Sequence, residues 1–346
     1  MAYLVLSNGM AFEGERIGAA GESIGELVFT TGVVGYLETL TDPAYAGQIV
    51  MQTFPLIGNY GVIEEDFESE CTAKGYVVRE LCDTPSNFRC QYTLGEYLEK
   101  KGVCGICGVD TRELTRILRE EGAMNAIICD EIPGNLEAVK AYEIKGAVKS
   151  VSCSQKKVYP AEGEKKYAVT LMDFGVRKSL IRSLCARGCE VKVVPFDTAA
   201  EDVLADRPDG VVLSGGPGDP RDCMQSASQI AKLIGSLPVL GIGLGHQLAA
   251  LGMGGRIEKL PCGHRGGNQP VKGRHTGRTH ITSQNHSYVV VPESLTGIGR
   301  MIFQNANDGT CEGMEYFQKN CITVQFDPED FVLDEFVKMM GGNMNA

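Results

Sequence analysis

The sequence has no apolar run approaching the roughly 20 residues that a membrane-spanning helix needs, so no crossing of a bilayer is expected. Its opening, MAYLVLSNGMAFEGERIG, lacks the basic start and long apolar stretch of a secretory leader. It reads instead as a strand, a turn at Asn8-Gly9 and a second strand, and the cytoplasm is the expected compartment. The net charge is -11, with Lys and Arg spread along the chain, which disfavours nucleic acid and anionic membrane as partners. No Gly-x-x-x-x-Gly-Lys-Ser/Thr phosphate loop occurs, so a nucleotide site is not expected. Cysteine is plentiful, at 13, but the number is odd and the positions are scattered, which argues against a disulfide framework. Around Cys104-Gly-Ile-Cys107 there is neither a second pair for zinc nor a thioredoxin-like context for redox chemistry. Buried reduced thiols are expected. No ligand spacing relates His264, His280 and His286, and no metal is expected.

What is present is enough chain for two cores: 346 residues, 43% of them hydrophobic. Residues 1–150 read as a mixed α/β domain, with strand-like runs at Glu26–Phe29 and Gln48–Met51 between turns. Leu114, Ile117 and Leu118 recur at helical spacing and predict a helix over Thr111–Glu121. Residues 151–166 are polar and contain Pro and Gly, as a linker does. From 167 to 346 strand and helix alternate. Strands are expected at Tyr167–Asp173, Glu190–Pro195, Asp209–Ser214 and Pro238–Ile242. Helices are expected at 176–187, 198–205, 224–234, from 246 and over 329–340. This is an α/β pattern with a central, mainly parallel sheet flanked by helices. Strands near His280, Met301 and Ile322 read as an antiparallel addition.

Ligands of such sheets sit beyond the carboxyl ends of the strands. Two loops belong there, Ser214-Gly-Gly-Pro-Gly-Asp-Pro220 and Gly241-Ile-Gly-Leu-Gly-His-Gln247. The second fails the dinucleotide fingerprint because His246 stands where its third glycine should be. It fits another arrangement: strand, Gly-x-nucleophile-x-Gly, helix, a sharp elbow that presents one side chain to a reacting carbonyl. Here the central residue is Gly243, which has no side chain.

These loops resemble those of class I glutamine amidotransferases, and the rest of the chain narrows the resemblance. Thr31-Gly-Val-Val-Gly-Tyr36, Leu40-Thr-Asp-Pro43, Pro55-Leu-Ile-Gly-Asn59, Ser86-Asn-Phe-Arg89 and Asp110-Thr-Arg-Glu-Leu-Thr-Arg116 are similar to motifs of the carbamoyl-phosphate synthetase small subunit. So are Met172-Asp-Phe-Gly175, Gly266-Gly-Asn268 and Gln284-Asn-His286. The resemblance implies a cysteine thiolate attacking the glutamine amide, a histidine moving the proton and a glutamate orienting that histidine. It implies ammonia passing within a heterodimer to a large subunit that holds ATP and Mg and makes carbamoyl phosphate from bicarbonate, for arginine and pyrimidine synthesis. No cofactor is implied for this chain.

Carried over residue by residue, the catalytic positions are Gly243 for the cysteine, Asp327 for the histidine and Glu329 for the glutamate. The glutamine-binding positions are Ala44, Gly216, Gly218, Leu244, Gln247, Asn285, Ser287 and Tyr288. Ala44 replaces a serine of the family, and Ser287-Tyr288 replaces a Gly-Phe pair. A Pro/Gly-rich segment that precedes the family's last helix is missing. An aspartate has an ordinary pKa of about 3.9 against about 6.5 for histidine, so it is ionised at neutral pH and a poor proton donor to a leaving amine. Three readings follow: a small subunit that still docks but hydrolyses no glutamine, a module that binds glutamine or another small amide, and an amidotransferase with an unrecognised nucleophile. Cys223 and Cys262 are the thiols to examine for the third. His246 is expected to be structural, and Glu329 to cap the last helix.

Overall fold

A computed structural model describes residues 1–341. The chain forms two compact units, one of residues 1–147 with 261–266 and one of residues 148–260 with 267–346.

In the first unit the strands are β1 (Ala2–Leu6), β2 (Ala11–Gly18), β3 (Ser23–Thr30), β4 (Gln48–Gln52), β5 (Leu56–Ile57), β6 (Gly75–Val77), β7 (Glu80–Leu81), β8 (Cys104–Cys107) and β9 (Met124–Cys129). The helices are α1 (Tyr36–Leu40), α2 (Leu94–Lys100), α3 (Thr111–Glu121) and α4 (Glu137–Lys140). All the strands except the small β5–β7 pair close into a barrel in the order β1-β2-β8-β6-β4-β3-β9. The β1–β2 hairpin turns at Asn8-Gly9 as expected. Alternation along each strand sends Leu4, Leu6, Leu27, Ile49, Met51 and Ile128 into a core that α3 covers with Leu114, Ile117 and Leu118. α3 spans the residues its periodicity predicts. Asp110 caps it, accepting from the N–H groups of Arg112 and Glu113, and it stops at Gly122 with φ 91°. Residues 261–266 pack here too: the Ala123 N–H donates to the Pro261 carbonyl at 2.7 Å. No local pattern announces that excursion.

In the second unit the elements run α5 (Ala147–Val151), β10 (Lys157–Tyr159), β11 (Tyr167–Asp173), α6 (Lys178–Ala186), β12 (Cys189–Pro195), α7 (Ala200–Ala205), β13 (Gly210–Leu213), α8 (Met224–Leu233), β14 (Val239–Ile242) and α9 (Leu244–Gly252). Then come β15 (Arg256–Gly273), β16 (Thr279–Val291), β17 (Gly299–Asn305), β18 (Cys311–Tyr316), β19 (Cys321–Val324) and α10 (Asp330–Met340). They build one ten-stranded sheet in the order β10-β12-β11-β13-β14-β19-β18-β17-β15-β16. One sheet face packs on α7, α8 and α9 through Val203, Ile230, Leu233 and Leu248. The other packs on α6 and α10 through Leu184, Leu333 and Phe336.

Two details differ from the sequence reading. The strand at Ile322 does not belong to the antiparallel addition on both sides: β19 pairs parallel with β14 and antiparallel only with β18. The β18–β19 hairpin inserts its second strand into the parallel sheet, a non-local pairing that periodicity does not register. The polar stretch 151–166 is not wholly irregular either, because Lys157–Tyr159 pairs antiparallel with β12. Its pattern is too short and too exposed to read as a strand. Among the described residues no helix is long and apolar enough to cross a membrane.

Candidate functional site

Four loops meet at the carboxyl ends of the parallel strands β11, β13, β14 and β19, where the topology of such a sheet places a site. The loop after β11 is shaped by Asp173, whose carboxylate accepts from the N–H groups of Cys153, Gly175 and Val176. It is tied to the loop after β13, since the Phe174 N–H donates to Ser214 Oγ at 2.9 Å. That second loop passes so close to the first that a Cβ on Gly216 would collide with the Phe174 carbonyl. Gly218 turns it with φ 85°.

The loop after β14 is an elbow. Gly243 has φ 52° and ψ -109° and stands immediately before α9. Its N–H donates to the Val324 carbonyl at 2.8 Å, and the Gly245 N–H donates to the Ser214 carbonyl at 3.1 Å. This is the backbone turn that a nucleophile elbow requires, with glycine at its centre. A Cβ placed on Gly243 would meet only Gly215 Cα at 3.4 Å and the Gln325 carbonyl at 3.9 Å. The space for a side chain is therefore open. The flanking glycines are different: a Cβ on Gly241 would lie 2.8 Å from Thr323 Cγ2, and one on Gly245 2.6 Å from Leu213 Cβ.

Of the two residues expected to work with the elbow, Asp327 lies just past β19 and is engaged. Its carboxylate pairs with Arg177, just before α6, at 2.9 Å. Its N–H donates to the Ser283 carbonyl at 2.9 Å. Glu329 occupies the N-cap position of α10, but its side chain makes no capping hydrogen bond, contrary to the capping role expected for it. Only its carbonyl serves the helix, accepting from the Val332 and Leu333 N–H groups.

The residues around the elbow are mostly committed to the fold. Leu244 is buried on α9. Gln247 gives its amide N–H groups to the Tyr288 carbonyl and to Gln325 Oε1, both at 2.9 Å. His246 is fully buried, with Nδ1 2.7 Å from Thr323 Oγ1. Burial lowers its pKa to about 3, which keeps the ring neutral and unsuited to proton shuttling at neutral pH. The unfolded chain binds this proton near pH 6.5 and the folded chain does not. Stability is therefore expected to fall by up to about 1.4 kcal/mol per pH unit below 6.5 from this group. His246→Gln should flatten that slope in urea unfolding at pH 7, 6 and 5.

Asn285, Ser287 and Tyr288 lie on β16. The Tyr288 hydroxyl donates to Asp219 Oδ2 at 3.0 Å, and Arg221 Nε donates to Asp219 Oδ1 at 2.8 Å. The Arg221 guanidinium and the Lys259 ammonium lie 5.7 and 5.9 Å from the Tyr288 ring centre. Burial alone would raise the Asp219 pKa, but the hydrogen bonds from Arg221 and Tyr288 outweigh it and hold the carboxyl below its ordinary value. This latch ties the loop after β13 to β16. It is present above the ordinary aspartate pKa and is lost as the pH falls through the depressed one. Tyr288→Phe is expected to raise amide exchange at residues 215–219 several-fold while leaving α9 unchanged. Neither the latch nor the Arg177–Asp327 pair was legible beforehand. An Asp before a Pro hints at a capped turn, but nothing in the sequence names a tyrosine 69 positions away as its partner.

Ala44 lies in the first unit, in a short 3-10 turn where its N–H donates to Asp42 Oδ1 at 2.9 Å. Neither of the two thiols considered, Cys223 and Cys262, lies on the elbow. Burial pushes the Cys223 pKa up to about 11, so it is a neutral thiol. Cys262 belongs to the first unit, where its Sγ donates to the Leu118 carbonyl at 2.9 Å.

Comparison with known proteins places this geometry in a family. Residues 4–128 match "Carbamoyl-phosphate synthase small chain, CPSase domain", and residues 170–335 match "Glutamine amidotransferase class-I". The carbamoyl phosphate synthase small chain of Clostridium perfringens is 47% identical over 352 residues, covering 97% of this chain and 99% of the relative. The chain belongs to the carbamoyl phosphate synthase small-chain family. The small chain of Listeria monocytogenes is 44% identical over 355 residues, covering 98% of this chain and 96% of its own. The pyrimidine-specific small chain of Bacillus subtilis is 43% identical over 350 residues, covering 97% and 95%. The second unit of this small-chain family member is accordingly a class I amidotransferase domain, and the strand–elbow–helix turn at Gly243 lies within the matched residues.

Proposed function

We propose that this chain serves as the small chain of a carbamoyl phosphate synthase without hydrolysing glutamine. It docks on a large chain, which holds ATP and Mg and makes carbamoyl phosphate from bicarbonate with ammonia taken directly, for pyrimidine and arginine synthesis. One observation carries the loss of hydrolysis: the elbow at Gly243 keeps its backbone but offers no atom to attack a carbonyl. The Arg177–Asp327 ion pair at the position of the proton shuttle supports the same reading. The relatives' printed names support the docking role.

Co-expression with the cognate large chain tests this. The two are expected to co-purify, and the complex to make carbamoyl phosphate from ammonium but not from glutamine. Failure to form a complex at micromolar concentration overturns the docking role. Synthesis from glutamine at a relative's rate overturns the loss. A module for binding small amides is less well supported, because Gln247 has spent its amide donors inside the fold. Calorimetry with millimolar glutamine is expected to give no heat of binding.

A further inference from the structure

Asn8-Gly9 is the chain's single Asn-Gly pair, and each of the other asparagines is followed by a residue with a side chain. The pair lies in the turn between β1 and β2, where Asn8, Gly9 and Met10 are all exposed. Two backbone bonds close this turn. The Leu6 N–H donates to the Met10 carbonyl at 2.8 Å, and the Gly9 N–H donates to the Leu6 carbonyl at 2.9 Å. The second bond is that of a β-turn. Gly9 follows with φ 95°, the bulge position of a three-residue hairpin loop.

The Asn8 amide is held at both ends. Its Oδ1 accepts from the Met10 N–H at 3.1 Å, and its Nδ2 donates to Glu121 Oε2 at 3.1 Å. The first of these is an Asx-turn. It curls the side chain back over the peptide that follows, and the ring it closes contains both Asn8 Cγ and the Gly9 nitrogen. The amide carbon is thereby kept near a backbone nitrogen, as an intramolecular attack requires. The Met10 N–H donates to the oxygen on which charge develops when Cγ is attacked. No side chain shields the nitrogen, and a Cβ on Gly9 would meet nothing within 4 Å.

We propose that Asn8 is a site of spontaneous deamidation and that its products loosen the β1–β2 hairpin. The Gly9 nitrogen gives its proton to solvent and attacks Asn8 Cγ. A bond forms between Gly9 N and Cγ, the bond from Cγ to Nδ2 breaks, and Nδ2 leaves as ammonia with a proton from water. Water then opens the cyclic imide at either carbonyl. One opening leaves aspartate. The other leaves isoaspartate, in which the main chain runs through Cβ and Cγ. No oxidant or reductant takes part.

Aspartate at this position puts a carboxylate where the amide donated to Glu121. The two charges repel, and both stand at the carboxyl end of α3, where the helix dipole opposes them. Isoaspartate adds one atom to the main chain between Leu6 and Met10 and so stretches the loop that the closing bonds span. Because β1 pairs with β9 as well as with β2, the disturbance reaches the barrel.

The test stores the full-length protein for several weeks at 37 °C in mildly alkaline buffer and maps every asparagine by peptide mass spectrometry. Asn8 is expected to convert at least tenfold faster than any other asparagine, with isoaspartate beside aspartate as the mark of the imide. Gly9→Asp keeps a residue type that tolerates positive φ but crowds the nitrogen, and should convert at least tenfold more slowly than the parent. The stored parent and fresh Asn8→Asp are both expected to exchange amide hydrogens across β1 and β2 at least threefold faster than the fresh parent. An intact Asn8 after storage, or another asparagine leading, overturns the site. Aspartate without isoaspartate means direct hydrolysis and overturns the route through Gly9, even where Gly9→Asp fails to fold. Conversion with unchanged exchange in β1 and β2 overturns the loosening.

Discussion

Supplied with glutamine, the purified protein is expected to release ammonia on the order of 10⁶ more slowly than a relative with an intact triad, alone or with a large chain. The figure follows from serine proteases, where triad members act as a unit and one deletion costs nearly as much as several. On the function proposed above, Gly243 stands in place of the nucleophile and Asp327, held to Arg177 at 2.9 Å, in place of the shuttle. Gly243→Cys alone is expected to restore no turnover. The new side chain has room, with Gly215 Cα 3.4 Å from its Cβ, but no base would accept the thiol proton and no acid would protonate the leaving amine. Gly243→Cys/Asp327→His is expected to restore measurable ammonia release, well below a relative's rate. Arg177 would remain beside the new imidazole and oppose the charge it must carry. Adding Arg177→Met should raise the rate further. A coupled assay for ammonia reads all three variants. Appreciable turnover by the unmodified protein would show that a nucleophile other than the elbow residue works here.

The elbow was legible in the sequence because it is local. A strand, alternate glycines and a helix lie within about a dozen residues, and the strain at the centre follows from their order. The helices and parallel strands of the second unit were legible for the same reason: each carries its own period, and α3 in the first unit likewise. What the sequence concealed depends on distant pairings. The insertion of β19 beside β14, the Arg177–Asp327 pair and the Tyr288–Asp219 latch each join residues that no spacing rule connects. That Asp327 stands where the resemblance implies a histidine is a reading of the motif alone. That its charge is met by the Arg177 guanidinium could not be read there.

The three glycines of the elbow are expected to respond very differently to alanine, and the contrast tests whether the turn keeps room for a side chain at its centre. Gly245 lets α9 lie against β13, and a Cβ there would stand 2.6 Å from Leu213 Cβ and collide with the Leu213 carbonyl. These are backbone-anchored atoms between packed elements, so helix and sheet must separate. Gly245→Ala is expected to cost about 3 kcal/mol or more. Gly241→Ala meets Thr323 Cγ2 at 2.8 Å and the Gly245 carbonyl at 3.0 Å, and should also cost several kcal/mol. Gly243→Ala meets nothing closer than 3.4 Å. Its cost is the φ of 52° alone, about 1–3 kcal/mol, offset by up to about 1 kcal/mol from the stiffer unfolded chain. Gly243→Cys should behave as Gly243→Ala does. Urea unfolding of the four variants checks the order. If Gly243→Cys proves more stable than the parent, the strain ascribed to this turn is absent and relief of strain does not explain the glycine. If Gly243→Ala is instead as damaging as Gly245→Ala, the site has closed around the missing side chain. A thiol put back at that position would then have no reacting geometry to restore.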